Sequence, residues 1–221
     1  MVRPDIKKEL LSVHIHTNNA GLQFRIKEYT NSRKVLIEFL DTGFTTEVQA
    51  GNIKRGMVYD RLAPSVFGLG YIGEGNHKAK VGCKNTLAYE TWGDMFKRCY
   101  SAERLQRNPT YQGCSVNPVW FNFQVFAEWF DKNYQKGFQL DKDILVEGNK
   151  EYGPSTCMMV SRQDNTEKAC AKHYTLVSPM GIEVEVYNLN KFARTHGLNS
   201  GNLHAVIQGK RNHHKHWRRV E

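Results

Sequence analysis

Long apolar runs are missing from this chain of 221 residues. A transmembrane helix needs about 20 consecutive, mostly apolar residues, and no segment approaches that length. The N-terminal stretch up to His16 also lacks the apolar core of a secretory signal peptide. No basic amphipathic helix with a bulky apolar face is visible that would bind a membrane surface. We therefore expect a cytoplasmic protein without a membrane partner.

Cysteine is scarce, and its spacing shows no metal-binding pattern. The 5 cysteines lie far apart, and none belongs to a Cys-x-x-Cys pair of the kind that binds structural zinc. The sequence therefore predicts reduced and mostly buried thiols in preference to a structural metal. A complete phosphate-binding loop is missing as well, because the glycine-rich segment Phe67–Gly75 lacks the Gly-Lys-Ser/Thr ending. We interpret that segment as a linker or a tight loop.

Positive charge is what the chain has in excess. It contains 31 Lys and Arg against 22 Asp and Glu, a net charge of +9. Residues 171–221 contain eight Lys and Arg and three Asp and Glu, a net charge of +5. More than half of the positive excess therefore lies in this segment. Such a balance favours a polyanionic partner, and nucleic acid is the first candidate.

Hydrophobic patterns divide the chain into three predicted domains. Residues 17–80 contain short alternating segments separated by turn residues, which predicts a small SH3-like barrel or a meander. Residues 81–171 begin with two helical patterns. Trp92, Met95, Phe96 and Cys99 share one helical face, with Asn85 as a candidate cap, and a second helix begins near Asn122. We expect these aromatic side chains to form a core.

A stretch with candidate catalytic chemistry follows, beginning LDKD. We predict a strand over Leu140–Leu145, a turn, a return strand over Thr156–Val160 and a helix opening at Ser161. Asp141 and Asp143 would then share one strand face, and the helix would return Asn165 to the same place. Oxygen ligands of this kind suit Mg²⁺ or Mn²⁺. The alternative is a surface hairpin with solvated carboxylates.

Residues 172–221 have the outline of a DNA-binding helix-turn-helix. A hairpin turns at Ser178–Gly181, a helix runs from Leu189 to His196 with Gly197 as its stop, and a second helix ends at Gly209. The second helix and its surroundings carry polar side chains that suit base edges, followed by cations that suit phosphates. The candidate DNA-binding residues are Asn199, Ser200, Asn202, His204, Gln208, Lys210, Arg211, Lys215, Arg218 and Arg219. The alternative is a solvated basic tail.

Several of these segments together resemble one enzyme family. The motifs are W-x-x-M-x-x-R-C-Y, NPTYQGCSV, W-F-N-F-x-x-F and the LDKD segment with YGPSTC and Asn165. They resemble phage-encoded HNH endonucleases of the ββα-metal class. The stretch from Ser178 to Trp217 resembles the helix-turn-helix module of intron-encoded nucleases. The resemblance implies an α+β protein with a barrel-like N-terminal segment, an HNH-like ββα-metal core with flanking helices, and a C-terminal hairpin with a helix-turn-helix.

The resemblance also implies site-specific binding and metal-dependent cleavage of double-stranded DNA, with a homing role in the host cell cytoplasm if the chain is phage-encoded. It assigns Asp141 and Asn165 as metal ligands and no cofactor beyond Mg²⁺ or Mn²⁺. The family's catalytic histidine is replaced by Lys142, and its middle asparagine by Thr156. The general base is therefore open between Lys142, Asp143 and a distant histidine such as His173.

Two other function classes stay open at this stage. The replaced histidine is compatible with a catalytically degenerate DNA-binding protein that acts as a regulator or an inhibitor. The aromatic content leaves RNA binding as a third class, although no RNP-type aromatic run is present.

Overall fold

The computed structural model describes residues 6–146, 148–163, 165 and 172–220. The chain divides into two compact units. The first comprises the chain up to Asn133 together with Leu145–Cys157, and the second comprises Tyr134–Ile144 together with the chain from Met158 onward. This division is coarser than the three predicted domains and does not test their boundaries.

Helices and strands are mixed along the chain, so the protein is α+β as predicted. The helices are α1 (Ile6–Leu11), α2 (Ala50–Lys54), α3 (Leu87–Tyr100), α4 (Ala102–Arg107), α5 (Phe123–Asn133), α6 (Leu189–Thr195) and α7 (Ser200–Ile207). The strands are β1 (His16–Thr17), β2 (Gln23–Asn31), β3 (Lys34–Phe39), β4 (Thr45–Val48), β5 (Lys80–Val81), β6 (Lys84–Asn85), β7 (Ser115–Val116), β8 (Phe138–Asp141), β9 (Glu151–Tyr152), β10 (Met158–Ser161), β11 (His173–Val177), β12 (Glu183–Tyr187) and β13 (Arg218–Arg219). No described helix is long and apolar enough to cross a bilayer.

The N-terminal strands form an open antiparallel sheet in the order β1-β2-β3-β4. Among the described strands, β4 does not pair with β1, so the predicted barrel-like closure is wrong and the meander is the correct alternative. Alternate residues of β3 point into a core with Phe24. Leu10 and Ile53, on α1 and α2, pack in the same core. These helices cover the apolar face, so closure into a barrel is not needed to bury it.

An aromatic cluster on α3 and α5 forms a second core of the first unit. Trp92 and Phe96 on α3 and Phe123 and Phe126 on α5 are fully buried, as predicted. The Trp92 indole N–H donates to the Trp120 carbonyl at 2.7 Å, so the polar edge of this buried ring is satisfied. The predicted cap of α3 is wrong by one residue, because the following Thr86 hydroxyl accepts the Tyr89 N–H in place of Asn85.

The glycine-rich segment is a loop that packs on this aromatic cluster. A Cβ at Gly70 would lie 2.8 Å from the Trp92 ring, so only glycine permits the close approach. The loop backbone is tied to α5 by the Gln124 side chain, which accepts the His77 N–H and donates to the carbonyls of Ile72 and His77. The loop interpretation is confirmed, and Gly70 serves packing.

The described cysteines agree with the expectation of reduced, mostly buried thiols. Cys99, Cys114 and Cys157 are thiols buried in the protein, and Cys83 is an exposed thiol. Cys170 lies outside the described residues.

The described residues of the second unit include two small sheets and the helices α6 and α7. β8 pairs with β10 in antiparallel register, and β11 pairs with β12 and β13 in a three-stranded sheet. The latter sheet and helices α6 and α7 share a compact core of Leu176, Val186, Leu189, Ala193 and Leu203. We call residues 172–220 the C-terminal module.

Candidate nucleic-acid interface and metal site

The β8–β10 pair forms the frame of the candidate metal site. Met158 pairs with Asp141 and Val160 pairs with Gln139. After Ser161 the chain becomes helical at Arg162, Gln163 and Asn165, so the predicted order of strand, strand and helix is present, while the rest of the predicted helix to Lys168 lies outside the described residues. The Asn165 amide Nδ2 approaches Gln139 Oε1 at 3.5 Å. Gln139 and Asp141 are two residues apart on one strand, so Asn165 lies beside the face of β8 that carries Asp141.

Asp141 ends the strand and shapes the turn that follows it. Its Oδ1 atom accepts the backbone N–H groups of Asp143 at 2.8 Å and of Ile144 at 2.7 Å. A short polar side chain that caps its own downstream backbone in this way favours a turn over a continued strand. The prediction of a strand to Leu145 is therefore wrong, and so is its consequence that Asp141 and Asp143 share one strand face.

Lys142 lies inside the protein, which the sequence pattern did not indicate. The residue is 5% exposed, and its ammonium group donates to Asp143 Oδ1 at 2.7 Å. An ammonium that donates to a carboxylate has no lone pair with which to take a proton from water. The ion pair also occupies the Asp143 carboxylate, so this geometry gives the two residues a structural interaction, and their catalytic assignment stays a prediction.

Two further positions bear on the resemblance. The Thr156 hydroxyl, which replaces the family's asparagine, donates to the Glu151 carbonyl at 2.8 Å and thereby braces its own loop. His173 begins β11 and its ring packs on Tyr187 with the ring centroids 4.7 Å apart. That contact gives His173 a packing role on the three-stranded sheet.

The donor atoms at Asp141 and Asn165 are compatible with a hard divalent cation. Asp141 Oδ2 accepts no hydrogen bond from the described residues, and Asn165 uses its amide nitrogen toward Gln139, which leaves its carbonyl oxygen available. The described part of the chain contains no group of three or more His, Cys, Asp or Glu that would hold an ion. A cation here would therefore complete its shell with water and phosphate oxygens, as Mg²⁺ usually does.

The C-terminal module has its helix boundaries where the local sequence places them. Asn188 caps α6 by accepting the Lys191 N–H, and Asn199 caps α7 by accepting the Asn202 N–H at 3.0 Å. Gly197 has a φ of +61°, a left-handed conformation that favours glycine, and it ends the segment after α6. The predicted hairpin and both predicted helices are present, and four residues, 196–199, separate the helices.

The polar candidates around α7 differ in exposure. Asn199, His204 and Gln208 are exposed, whereas Ser200 and Asn202 are half-buried. His204 Nε2 and the Gln208 amide nitrogen lie 2.8 Å apart, so these two side chains orient each other one turn apart on the helix. Leu203 is fully buried and Ile207 packs partly against the same core, which holds α7 on the module as predicted.

The five candidate cations after α7 are all exposed. Lys215 donates from Nζ to the Gly197 carbonyl at 2.9 Å, and Arg211 donates from Nε to the His213 carbonyl at 2.9 Å. The Arg219 guanidinium lies against Gly209, where a Cβ would come within 2.6 Å of its nitrogen. No carboxylate of the described residues forms an ion pair with Lys210, Arg211, Lys215, Arg218 or Arg219.

One residue of the module has a local role that the sequence did not reveal. His214 is 9% exposed, and its Nε2 accepts the backbone N–H of Asn199 at 3.1 Å. Burial, with Arg211, Lys215 and His213 nearby, lowers the pKa of His214 below the ordinary histidine value. The only sequence signal was its place in the run His213–His216, where every histidine looks alike.

Comparisons with known proteins give little further information. No family model matches the chain, and no curated protein matches it. Among solved structures, a match covers 94% of this chain and 92% of the other, with 14% identity and a TM-score of 0.23; it comes from work on DNA binding and cleavage by the HNH homing endonuclease I-HmuI. A TM-score this low does not establish a shared fold.

Proposed function

We propose that this protein binds double-stranded DNA through the C-terminal module and cleaves it at the β8–β10 hairpin, as a site-specific, metal-dependent endonuclease of HNH type with a homing role. DNA binding is the part that the geometry supports best. The observation that carries it is the set of five exposed cations of the module without carboxylate partners among the described residues. Unneutralised cations attract phosphates and release counterions when they bind.

Helix α7 supplies the side chains that would read base edges. Asn199 uses its Oδ1 as the helix cap, so its amide N–H groups remain for a base or a phosphate. His204 and Gln208 present an imidazole and an amide in a fixed mutual orientation. Amide groups suit adenine and cationic donors suit guanine in the major groove, so α7 is the proposed recognition helix.

Asp141 and Asn165 would hold the divalent cation through a carboxylate and an amide oxygen. When bound, a divalent cation stabilises the charge on the leaving oxygen of a phosphodiester. The turn that Asp141 caps fixes the position of its carboxylate, and β8–β10 pairing holds the neighbouring residues rigid. The observation favouring cleavage is the placement of Asn165 beside the Asp141 face of β8.

The alternative is a catalytically degenerate DNA-binding protein that acts as a regulator or an inhibitor. The burial of Lys142 and its ion pair with Asp143 favour this alternative, because they leave the site without an evident general base. DNA binding is common to both functions, and only cleavage separates them.

A supercoiled-plasmid assay tests cleavage. The plasmid must contain a binding site selected from random duplexes with the full-length protein, and Mg²⁺ and Mn²⁺ are supplied separately. We expect metal-dependent relaxation by the wild type and a loss of about 100-fold or more in Asp141→Asn, because losing only a hydrogen-bond partner of a metal ligand already costs about 10- to 100-fold. Asparagine retains the Oδ1 acceptor of the turn, so the variant should fold and bind DNA normally.

This experiment distinguishes a loss of DNA binding from a loss of DNA cleavage. A chelator should stop relaxation and leave the gel shift of the labelled site unchanged. Relaxation that is equal in wild type and Asp141→Asn would remove Asp141 from the reaction. Binding without any relaxation would favour the regulator, and displacement by single-stranded RNA in preference to duplex DNA would favour RNA binding.

A further inference from the structure

A tight turn places His214 against the start of the proposed recognition helix. His214 and Trp217 exchange two backbone hydrogen bonds of 3.0 Å, and the residues between them, Lys215 and His216, have φ values of +47° and +69°. Two positive φ values in a two-residue loop are typical of a type I′ turn, which normally contains asparagine or glycine. Lysine and histidine are strained in this conformation, so surrounding contacts must hold the turn in place.

The contacts that hold this turn end on the connection between α6 and α7. Lys215 Nζ donates to the carbonyl of Gly197 at 2.9 Å. Trp217 packs edge-on against Phe192 of α6, with ring centroids 5.0 Å apart. His214 Nε2 accepts the N–H of Asn199, the residue that caps α7 with its own side chain. The turn therefore fixes the backbone from which α7 begins.

We propose that His214 is a positioning residue for DNA binding: its neutral imidazole accepts the Asn199 N–H and fixes the first turn of α7, and protonation of the imidazole releases that turn. The inference rests on the proposed DNA binding for its functional consequence. Its structural half, the coupling between the imidazole and the cap of α7, stands independently of any ligand.

The surroundings of His214 favour the neutral ring. The charged groups acting on it are Arg211, Lys215 and His213, all cationic or able to become so, and the α7 side contributes the uncharged Asn199. An imidazolium has no lone pair to accept the Asn199 N–H. Its charge would also face the positive end of a helix dipole. Protonation is therefore disfavoured in the folded module, in agreement with the lowered pKa.

The direction of the pH effect follows from this lowered pKa. As the pH falls below the ordinary histidine value of about 6.5, unfolded chains take up a proton at residue 214 before folded chains do. The module therefore loses stability from that pH downward until the lowered folded-state pKa is reached.

Nitrogen NMR of the full chain labelled at histidine and asparagine tests the structural half. We expect His214 to be the Nδ1–H tautomer, because its Nε2 is the acceptor, and the Asn199 amide resonance to move with the His214 titration. In His214→Gln, whose amide oxygen can accept the same N–H, the pH-dependent movement of Asn199 should vanish while the protein remains folded. An Nε2–H tautomer, or an Asn199 amide that ignores the His214 titration, would overturn the inference.

Fluorescence anisotropy with a labelled random-sequence duplex tests the functional half between about pH 8, above the ordinary histidine pKa of about 6.5, and the lower pH at which the NMR titration of the folded chain shows the His214 ring protonated. Relative to His214→Gln, the wild type should lose about three- to tenfold in affinity at the lower pH, the worth of one hydrogen bond. His173→Gln, which replaces an exposed histidine of the module that does not act on His214, is the matched control and should follow the wild-type loss. Equal pH profiles for wild type and His214→Gln would refute the positioning role.

The two proposals fail in distinguishable ways. If no variant binds DNA at any pH, the proposed function is wrong, and the tautomer and the Asn199 titration still decide whether His214 positions α7. If DNA binds with the same pH dependence in all three proteins, DNA binding stands and His214 has no positioning role.

Discussion

The first unit and the C-terminal module use their cationic side chains in different ways. In the first unit, Arg25 and Lys27 share Glu38, and Arg98 pairs with Asp94 at 2.8 Å. Lys54, Arg107 and Lys132 also have carboxylate partners. In the module, the five candidate cations have none among the described residues. These cations of the first unit are thus neutralised by neighbouring carboxylates, whereas the five cations at which we propose DNA binding are not.

The hydrophobic cores of the two regions also differ. The first unit buries whole indole and phenyl rings, such as Trp92, Trp120 and Phe126, whereas the module buries mainly aliphatic side chains around Leu176 and Leu203. Large buried aromatic area gives a rigid scaffold. A small core holds two short helices in place and leaves Lys191, Arg194 and His204 on them exposed, which suits a surface that contacts a ligand.

The largest expected effect comes from removing the unbalanced charge. Replacing all five cations, Lys210, Arg211, Lys215, Arg218 and Arg219, by glutamine should reduce DNA affinity about 1,000-fold at physiological salt. The salt dependence should also flatten, by about 0.9 in slope for each phosphate that the protein no longer neutralises. Anisotropy titrations at several salt concentrations measure both quantities.

The matched control changes cations that already have carboxylate partners. Glutamine at Lys27, Lys34, Lys54, Arg107 and Lys132 removes the same formal charge from the first unit. A similar loss of affinity and slope in this control would show that total charge, and not the unpaired set on the module, governs binding.

The next effect concerns the core of the module. Leu203→Ala should cost about 2–5 kcal/mol of unfolding free energy, because Leu203 lies on the face of α7 that packs into the core and is fully buried. Circular dichroism during urea unfolding measures this loss, and DNA binding should weaken with it. Phe126→Ala in the first unit should cost a similar amount and leave DNA affinity unchanged wherever the variant is folded. Equal losses of affinity in both variants would contradict the division of roles.

Lys142 gives a smaller and more diagnostic effect. Lys142→Met removes the ammonium from Asp143, and we expect a cost of at most about 1 kcal/mol, because the Asp143 side chain is 43% exposed and water can take the place of the lost donor. DNA affinity should not change. Lys142→His restores the residue type that the family resemblance implies, and plasmid relaxation should increase. A complete loss of relaxation in Lys142→Met without destabilisation would instead identify Lys142 as the general base.

The smallest effect belongs to the exposed ion pairs of the N-terminal sheet. Hydrogen bonding from Arg25 lowers the pKa of Glu38, so its stabilising contribution exists above the ordinary glutamate value and disappears as the pH falls through the lowered pKa. Glu38→Gln should therefore slightly lower the melting temperature at neutral pH and leave it unchanged at strongly acidic pH. A difference from wild type that persists in acid would assign the effect to packing.

Local signals predicted the C-terminal module well. The Asn199 cap, the glycine after α6 and the turn at Ser178–Gly181 all act within a few residues, so their structural effect is visible in the sequence. The β8 strand was predicted too long, because Asp141 Oδ1 accepts the backbone N–H groups of Asp143 and Ile144, and these hydrogen bonds compete with strand continuation. Apolar periodicity does not report such competition between a side chain and the backbone.

The amino-acid sequence by itself determined the excess of positive charge in the C-terminal segment, the amphipathic aromatic helices and the caps and turns that punctuate them. Tertiary structure alone decided that the N-terminal strands stay open, that Lys142 is buried beside Asp143, and that His214, among several similar histidines, meets the cap of α7. The physical reason is the distance along the chain over which each interaction acts. Propensity, capping and charge act between neighbours in the chain, whereas burial and hydrogen bonding at these positions depend on segments that only folding brings together.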